Sequence, residues 1–154
     1  MTRLLGRSVL AFLALPGTVA FLVPWLLLEP DHALHLSGLF VVAVGIVLLL
    51  WCVREFYVSG RGTLAPWAPP SRLVVTGLYR YSRNPMYVAV ALVLIGWSLT
   101  FGSWRVTFYT LIVVAAFHLR VVFGEEPWLA KVYGDEWQRY SHRVPRWIGL
   151  PRAG

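Results

Sequence analysis

The chain has 154 residues, 58% of them hydrophobic and only 14% charged, with a mean hydropathy of +0.64. Soluble domains run to roughly half apolar and about 25% charged residues, so an ordinary soluble domain is excluded; disorder, which needs low hydrophobicity, is excluded too, and the single cysteine, Cys52, excludes a disulfide scaffold. The net charge of +7 would point to nucleic acid in a soluble protein, but here it must first be placed relative to a membrane.

The expected fold is all-α: one membrane-embedded domain over residues 1–154, with room for about four transmembrane helices of about 20 residues each. The first apolar run covers residues 8–28, after Arg3 and Arg7 and before Glu29-Pro30-Asp31. It exceeds the roughly 7–15-residue core of a signal peptide and no A-x-A site follows, so it reads as a retained helix. Pro16 and Pro24 are expected to kink it, which neighbouring helices tolerate in lipid. The second span covers residues 37–53 and contains no charge. The third, 86–101, and the fourth, 104–123, are joined by Gly102-Ser103 and form a tight hairpin. Trp25, Trp51, Trp97 and Trp104 sit near span ends, where indoles favour the membrane interface.

Basic residues gather before the first span, between the second and third, and after the fourth; Arg105 is the exception, and the 29–36 loop carries Glu29 and Asp31. The positive-inside rule then puts both termini, the 54–85 loop and the 124–154 tail on the cytoplasmic side. Much of the charge is a topology signal, and nucleic acid is not an expected partner. Membrane lipids are.

The glycine- and proline-rich stretch 59–72 reads as a loop. Pro85 suits the first turn of the third span, with Asn84 as its N-cap. In the tail, Trp128, Leu129, Val132, Tyr133, Trp137 and Tyr140 recur at roughly helical spacing with polar residues between them. That is an amphipathic helix, bent or broken at Gly134 and ended by Pro145.

Two polar clusters are unusual for a passive bundle. Tyr79, Arg83, Asn84 and Tyr87 stand at the start of the third span, and Glu125-Glu126 come after the fourth. An antiparallel hairpin brings them to one face. Adjacent carboxylates at a helix C-terminus are electrostatically unfavourable and ask for a cation, which Arg83, Arg120 or Arg143 could supply. A plain ion pair between hairpin ends explains the same residues. His118 reads as a structural histidine, with a base for an amine nucleophile as the alternative. Cys52 is a small apolar filler, and His32 and His35 look solvated. No metal-ligand spacing appears in the sequence.

The stretch Gly77-Leu78-Tyr79-Arg80-Tyr81-Ser82-Arg83-Asn84-Pro85-Met86-Tyr87-Val88-Ala89 resembles the G-x-Y-x-x-x-R-H-P-x-Y-x-G motif of the isoprenylcysteine carboxyl methyltransferase family, relatives of the phospholipid N-methyltransferases. The paired glutamates and the aromatic tail Tyr133-Gly134 to Tyr140, then Arg143-Val144-Pro145-Arg146, resemble its second motif, and the Gly60-to-Pro66 loop is similar to bacterial members. The match covers about residues 54–150. Asn84 stands where the family has histidine, and Ala89 where it has glycine; an amide can bind or orient but cannot take a catalytic proton.

The resemblance implies an integral membrane enzyme, in a bacterial inner membrane, that moves a methyl group from S-adenosylmethionine to a lipid-like or prenylated acceptor. An isoprenylcysteine-type carboxylate is the leading acceptor and a phospholipid amine the alternative. It implies catalytic roles for Arg83 and Glu126. It implies cofactor contacts for Tyr79, Asn84, Tyr87, Glu125, Tyr133, Tyr140 and Arg143, with Arg146 on cofactor or head groups. From another class, a small four-span transporter would place an ionisable residue deep in the membrane, and no acid lies mid-span here; a non-catalytic membrane partner is the third reading.

Overall fold

The computed structural model describes residues 13–28, 34–59 and 72–151. Of the expected 59–72 loop, residues 60–71 lie outside the described residues, as do residues 8–12 of the first expected span, the Glu29-Pro30-Asp31 stretch that ends it, and His32. All regular structure among the described residues is helical. Helix α1 joins a π-wound Leu13–Leu22 to an α-helical Val23–Leu27. Helix α2 is Leu36–Val58. A 3-10 turn, Gly77–Arg80, leads into α3, Pro85–Phe101, and α4 is Trp104–Arg120. A π-turn, Val121–Glu125, then passes directly into α5, Glu126–Arg143.

Among the described residues two helices are long and apolar enough to cross a membrane: Leu36–Glu55 within α2, and the 40-residue stretch Trp104–Arg143. Only 22% of the most apolar window of each is buried, where the core helix of a soluble protein would be mostly enclosed. Phe40, Val47 and Leu50 of α2 and Phe108, Leu111 and Ile112 of α4 point outward. The α1 stretch Gly17–Leu27 and α3 are apolar but shorter.

The core joins all four apolar helices: Ala20 of α1, Leu49 of α2, Ala89, Val90, Val93 and Leu94 of α3, and Val113 of α4. Helices α2 and α3 approach closely because glycines face the contact. A Cβ on Gly45 would lie 2.7 Å from Val93 Cγ2, and one on Gly96 would lie 2.6 Å from the Val42 backbone nitrogen. Small residues let helix backbones approach without lipid between them. The wide winding of α1 runs through Pro16, as expected where a proline interrupts the hydrogen-bond ladder; the Tyr109 hydroxyl donates to the Val19 carbonyl at 3.1 Å.

Three expectations need correction. Helix α2 does not stop at residue 53 but runs on to Val58, through Arg54 and Glu55. The polar residues that mark the end of an apolar run do not end a helix when they find partners. Glu55 is buried and accepts from Thr76 Oγ1 at 2.7 Å and Ser59 Oγ at 3.1 Å. The tail helix is not a separate element, since α4, the π-turn and α5 are continuous. Glu125 and Glu126 therefore stand at a π-to-α junction and not at a helix C-terminus.

The hairpin turn at Gly102-Ser103 stands, with Ser103 Oγ accepting from the Val106 amide at 3.4 Å. Gly134 bends α5, with φ 49° and ψ −121°. The helix ends at Arg143, two residues before Pro145.

Candidate active site

The site forms where the α3 N-terminus, the π-turn and the segment after α5 meet. Pro85 opens α3, and the residues before it are pinned to that last segment by backbone. The Arg83 amide donates to the Pro145 carbonyl at 2.9 Å. Asn84 Nδ2 donates to the Arg146 carbonyl at 3.0 Å. Asn84 occupies the N-cap position, but its side chain does not cap the helix. The amide side chain reaches across the site, and the backbone carbonyl of Asn84 accepts from Val88 instead.

These ties bring three charged groups together. Glu126 Oε1 lies 3.0 Å from Arg83 Nη1. Arg146 grips the same carboxylate with two bonds, Nε to Oε1 and Nη2 to Oε2, each 2.8 Å. A bidentate guanidinium–carboxylate pair is directional as well as strong. The side chains of Arg83 and Glu126 are only 13% and 16% exposed, so solvent screens them little. Arg83 also lies over the Trp137 ring, 5.6 Å from its centroid. Hydrogen bonding to Glu126 raises the pKa of Arg146 above its usual value.

Glu125 belongs to a second cluster. Its Oε1 accepts from the Tyr87 hydroxyl and, at 2.8 Å, from Arg120 Nε, which also lies 3.1 Å from the Tyr87 oxygen. Arg120 is 63% exposed, and an exposed pair contributes about 0–1 kcal/mol. The Glu126 cluster is the firmer of the two. The one extra residue of the π-turn changes the angular register across Val121–Glu125, and such turns recur at functional sites.

Aromatic residues enclose the Glu126 side. Tyr140 is buried with Trp137 and Val144, and its hydroxyl donates to the Tyr79 carbonyl at 2.8 Å. Tyr79 itself is buried beside Cys52 and Val74, and burial pushes its phenol well above the ordinary range. Tyr133 packs on the edge of the Trp137–Tyr140 cluster. Arg143 is exposed at the end of α5.

Thus the fold gathers Arg83, Glu126, Asn84, Tyr79 and Tyr140 around one region, and Tyr87 and Glu125 beside it. Of the three candidate cations, Arg83 meets Glu126 and Arg120 meets Glu125. The second guanidinium on Glu126 comes from Arg146, which the sequence reading sets on cofactor or head groups and not on Glu126. The sequence marks only where α5 must end, because a proline just past the C-cap cannot continue the helix; the direction the chain then takes toward Glu126 has no sequence signal.

A cavity of about 640 Å³ opens between α3 and α4. Its far end is lined by Ile95 and Leu111, and its near end by Tyr87, Phe117, His118 and Trp147. Tyr87 therefore serves both the apolar groove and the Glu125 cluster.

The sequence profile described as "Phospholipid methyltransferase" matches residues 33–136. Over 78 residues the chain is 31% identical to the protein-S-isoprenylcysteine O-methyltransferase of Schizosaccharomyces pombe, covering 51% of this chain and 33% of that protein. Over 63 residues it is 30% identical to an uncharacterised protein of Haemophilus influenzae, covering 41% of this chain and all of the relative. The chain thus spans a third of the length of the curated enzyme it matches. No solved structure matches.

Proposed function

The chain belongs to the phospholipid methyltransferase family, and on that premise we propose that it is an integral membrane methyltransferase transferring a methyl group from S-adenosylmethionine to a lipid-like acceptor. The observation that carries the reading is the Glu126 cluster, which joins both sequence motifs through one carboxylate.

The residues present fit the cofactor's charged end. An amino acid zwitterion needs a cation for its carboxylate and an anion for its ammonium. Arg83, Arg146 and Glu126 are such a set, held together and ready to exchange partners. The Trp137 ring under the Arg83 guanidinium gives the cluster an aromatic wall of the kind that favours a sulfonium, and the buried Tyr79 and Tyr140 rings hold that wall in place. When bound, the cofactor supplies a methyl group already activated on a positively charged sulfur. The protein's share is orientation and exclusion of water. Arg83 and Glu126 hold the charged end, Asn84 fixes the Arg146 backbone, and Tyr87 with Glu125 marks the way to the groove. Aligning two reactants in this way can lower a barrier by about 7–11 kcal/mol. Tyr133 and Arg143 stand at the rim of this arrangement.

The acceptor's chain occupies the α3–α4 groove, entering sideways from the bilayer. Both an isoprenylcysteine-type carboxylate and a phospholipid amine have an apolar tail that suits such a groove. All four apolar helices span the membrane in this reading, with both termini and the Glu126 cluster on the cytoplasmic side of a bacterial inner membrane.

Calorimetry on the purified chain with S-adenosylhomocysteine tests the reading. Wild type should bind, and Arg83→Ala and Glu126→Ala should each lower affinity at least tenfold. No binding by wild type in detergent or lipid would sink the methyltransferase reading.

A further inference from the structure

His118 stands on the wall of the α3–α4 groove, at the end that also carries Tyr87 and Trp147. Its ring lies on the Trp147 indole, with centroids 5.9 Å apart and planes at 30°. Trp147 directly follows Arg146, which grips Glu126. The imidazole thus stacks on the residue next in sequence to Arg146 and lines the largely apolar groove. Among the described residues lining the groove, only Tyr87 and His118 are titratable. The Tyr87 hydroxyl is committed to Glu125, so the proton acceptor on this wall is His118.

We propose that His118, held by Trp147, takes the proton from an acceptor whose nucleophile must lose one on methylation: a lipid amine, with its chain in the groove. The proposal rests on the methyltransferase reading above. The surroundings complement a zwitterionic phospholipid headgroup. Arg120 is exposed enough to meet a phosphate. Glu125 and the Tyr87, Phe117 and Trp147 rings suit an ammonium. In the step itself, the amine lone pair forms the bond to the methyl carbon. The carbon–sulfur bond breaks with its electron pair going to sulfur, and the N–H proton passes to the imidazole. A carboxylate acceptor loses no proton and leaves His118 idle, so acceptor class and residue role are tested together.

The experiment measures methyl transfer by the purified full chain to phosphatidylethanolamine in vesicles and, separately, to a prenylated cysteine, with S-adenosylhomocysteine affinity measured in parallel. Wild type should methylate the amine lipid. His118→Gln should lose turnover on it by about 100-fold or more with cofactor-product affinity unchanged. His118→Ala should recover part of that turnover when imidazole is added, which restoring a merely structural contact would not do. Trp147→Ala should lower turnover by a smaller factor. Wild-type turnover by His118→Gln, or wild-type turnover on the prenylated cysteine alone or on neither lipid while S-adenosylhomocysteine still binds, overturns the proposal. If S-adenosylhomocysteine does not bind at all, the methyltransferase reading falls first and the proposal falls with it.

Discussion

Glu126 carries two guanidiniums, and its removal leaves both without their anion. Arg83 is mostly enclosed, so its uncompensated charge is costly. Breaking a buried pair by removing one partner costs about 3–5 kcal/mol, and Arg146, which is 36% exposed, recovers part of this by turning to water. Glu126→Ala is therefore expected to lose stability on the order of 3 kcal/mol, seen as a lower thermal midpoint in detergent, together with cofactor-product affinity. Glu126→Gln keeps the shape and one acceptor oxygen and should retain more stability, yet still bind S-adenosylhomocysteine poorly. A thermal midpoint for Glu126→Ala equal to wild type would mean that the cluster is not what joins the two motifs. At this scale the sequence discloses that the glutamates need cations, although the reason it offers, a helix C-terminus, is not where the pair stands. It does not disclose that Arg146 rather than Arg143 meets Glu126. That choice depends on how the chain turns at Pro145, which no residue spacing encodes. Asn84 shows the same limit. Its N-cap position is legible, but its side chain donates to the Arg146 carbonyl, 62 residues away.

Helical elements are legible where apolar runs are long, and less so where polar residues interrupt them. Arg54 and Glu55 look like a span boundary, yet α2 continues through them, because the Glu55 carboxylate finds its hydrogen bonds at Ser59 and Thr76. The π-turn leaves no periodic signature, since one inserted residue changes phase without changing composition. Its consequence is specific. Removing one residue returns the stretch to α winding and leaves the downstream helix nearly in place, because the π-turn is what absorbs that residue; removing two rotates the downstream helix by about 100°. Deletion of Gly124 alone, around which there is open space, should therefore keep Glu126 near Arg83, whereas deletion of Phe123 and Gly124 together should leave helix content intact while carrying Glu126 away from Arg83. The expected result is S-adenosylhomocysteine binding kept by the single deletion and lost by the double one, with circular dichroism unchanged; binding retained by the double deletion would show that the register at 121–125 is not needed. The α2–α3 contact makes a different prediction. Gly96→Ala puts a Cβ against the Val42 backbone, which cannot move as a side-chain tip can. Overpacking of this kind costs about 1–3 kcal/mol, and the midpoint of thermal unfolding should fall, whereas Gly124→Ala should leave it nearly unchanged.

For the whole molecule, charge distribution and site position make the same demand. The Glu126 cluster lies at the end of the helices where α3 begins and α4 passes into the π-turn, and the proposed water-soluble cofactor would have to reach it from an aqueous phase. The sequence stretch 29–36, before α2, carries only acids and histidines among its ionisable residues, so the positive-inside rule and the cofactor's need for the cytoplasm coincide. Both favour the same proposed orientation, which cysteine labelling can read directly. Cys52 is the only cysteine and is fully buried, so it should react little with a membrane-impermeant maleimide, and Cys52→Ala gives a clean background. In that background, His35→Cys places a thiol at the exposed start of α2, and Arg143→Cys places one at the exposed end of α5. In intact bacterial cells the first should be labelled and the second protected. After permeabilisation both should be labelled. Labelling of the α5 position alone in intact cells would invert the molecule and put the cluster on the side without cofactor. Labelling of both positions in intact cells would mean that an even number of spans separates them, and the four-span arrangement, which puts α2, α3 and α4 between them, would have to be withdrawn.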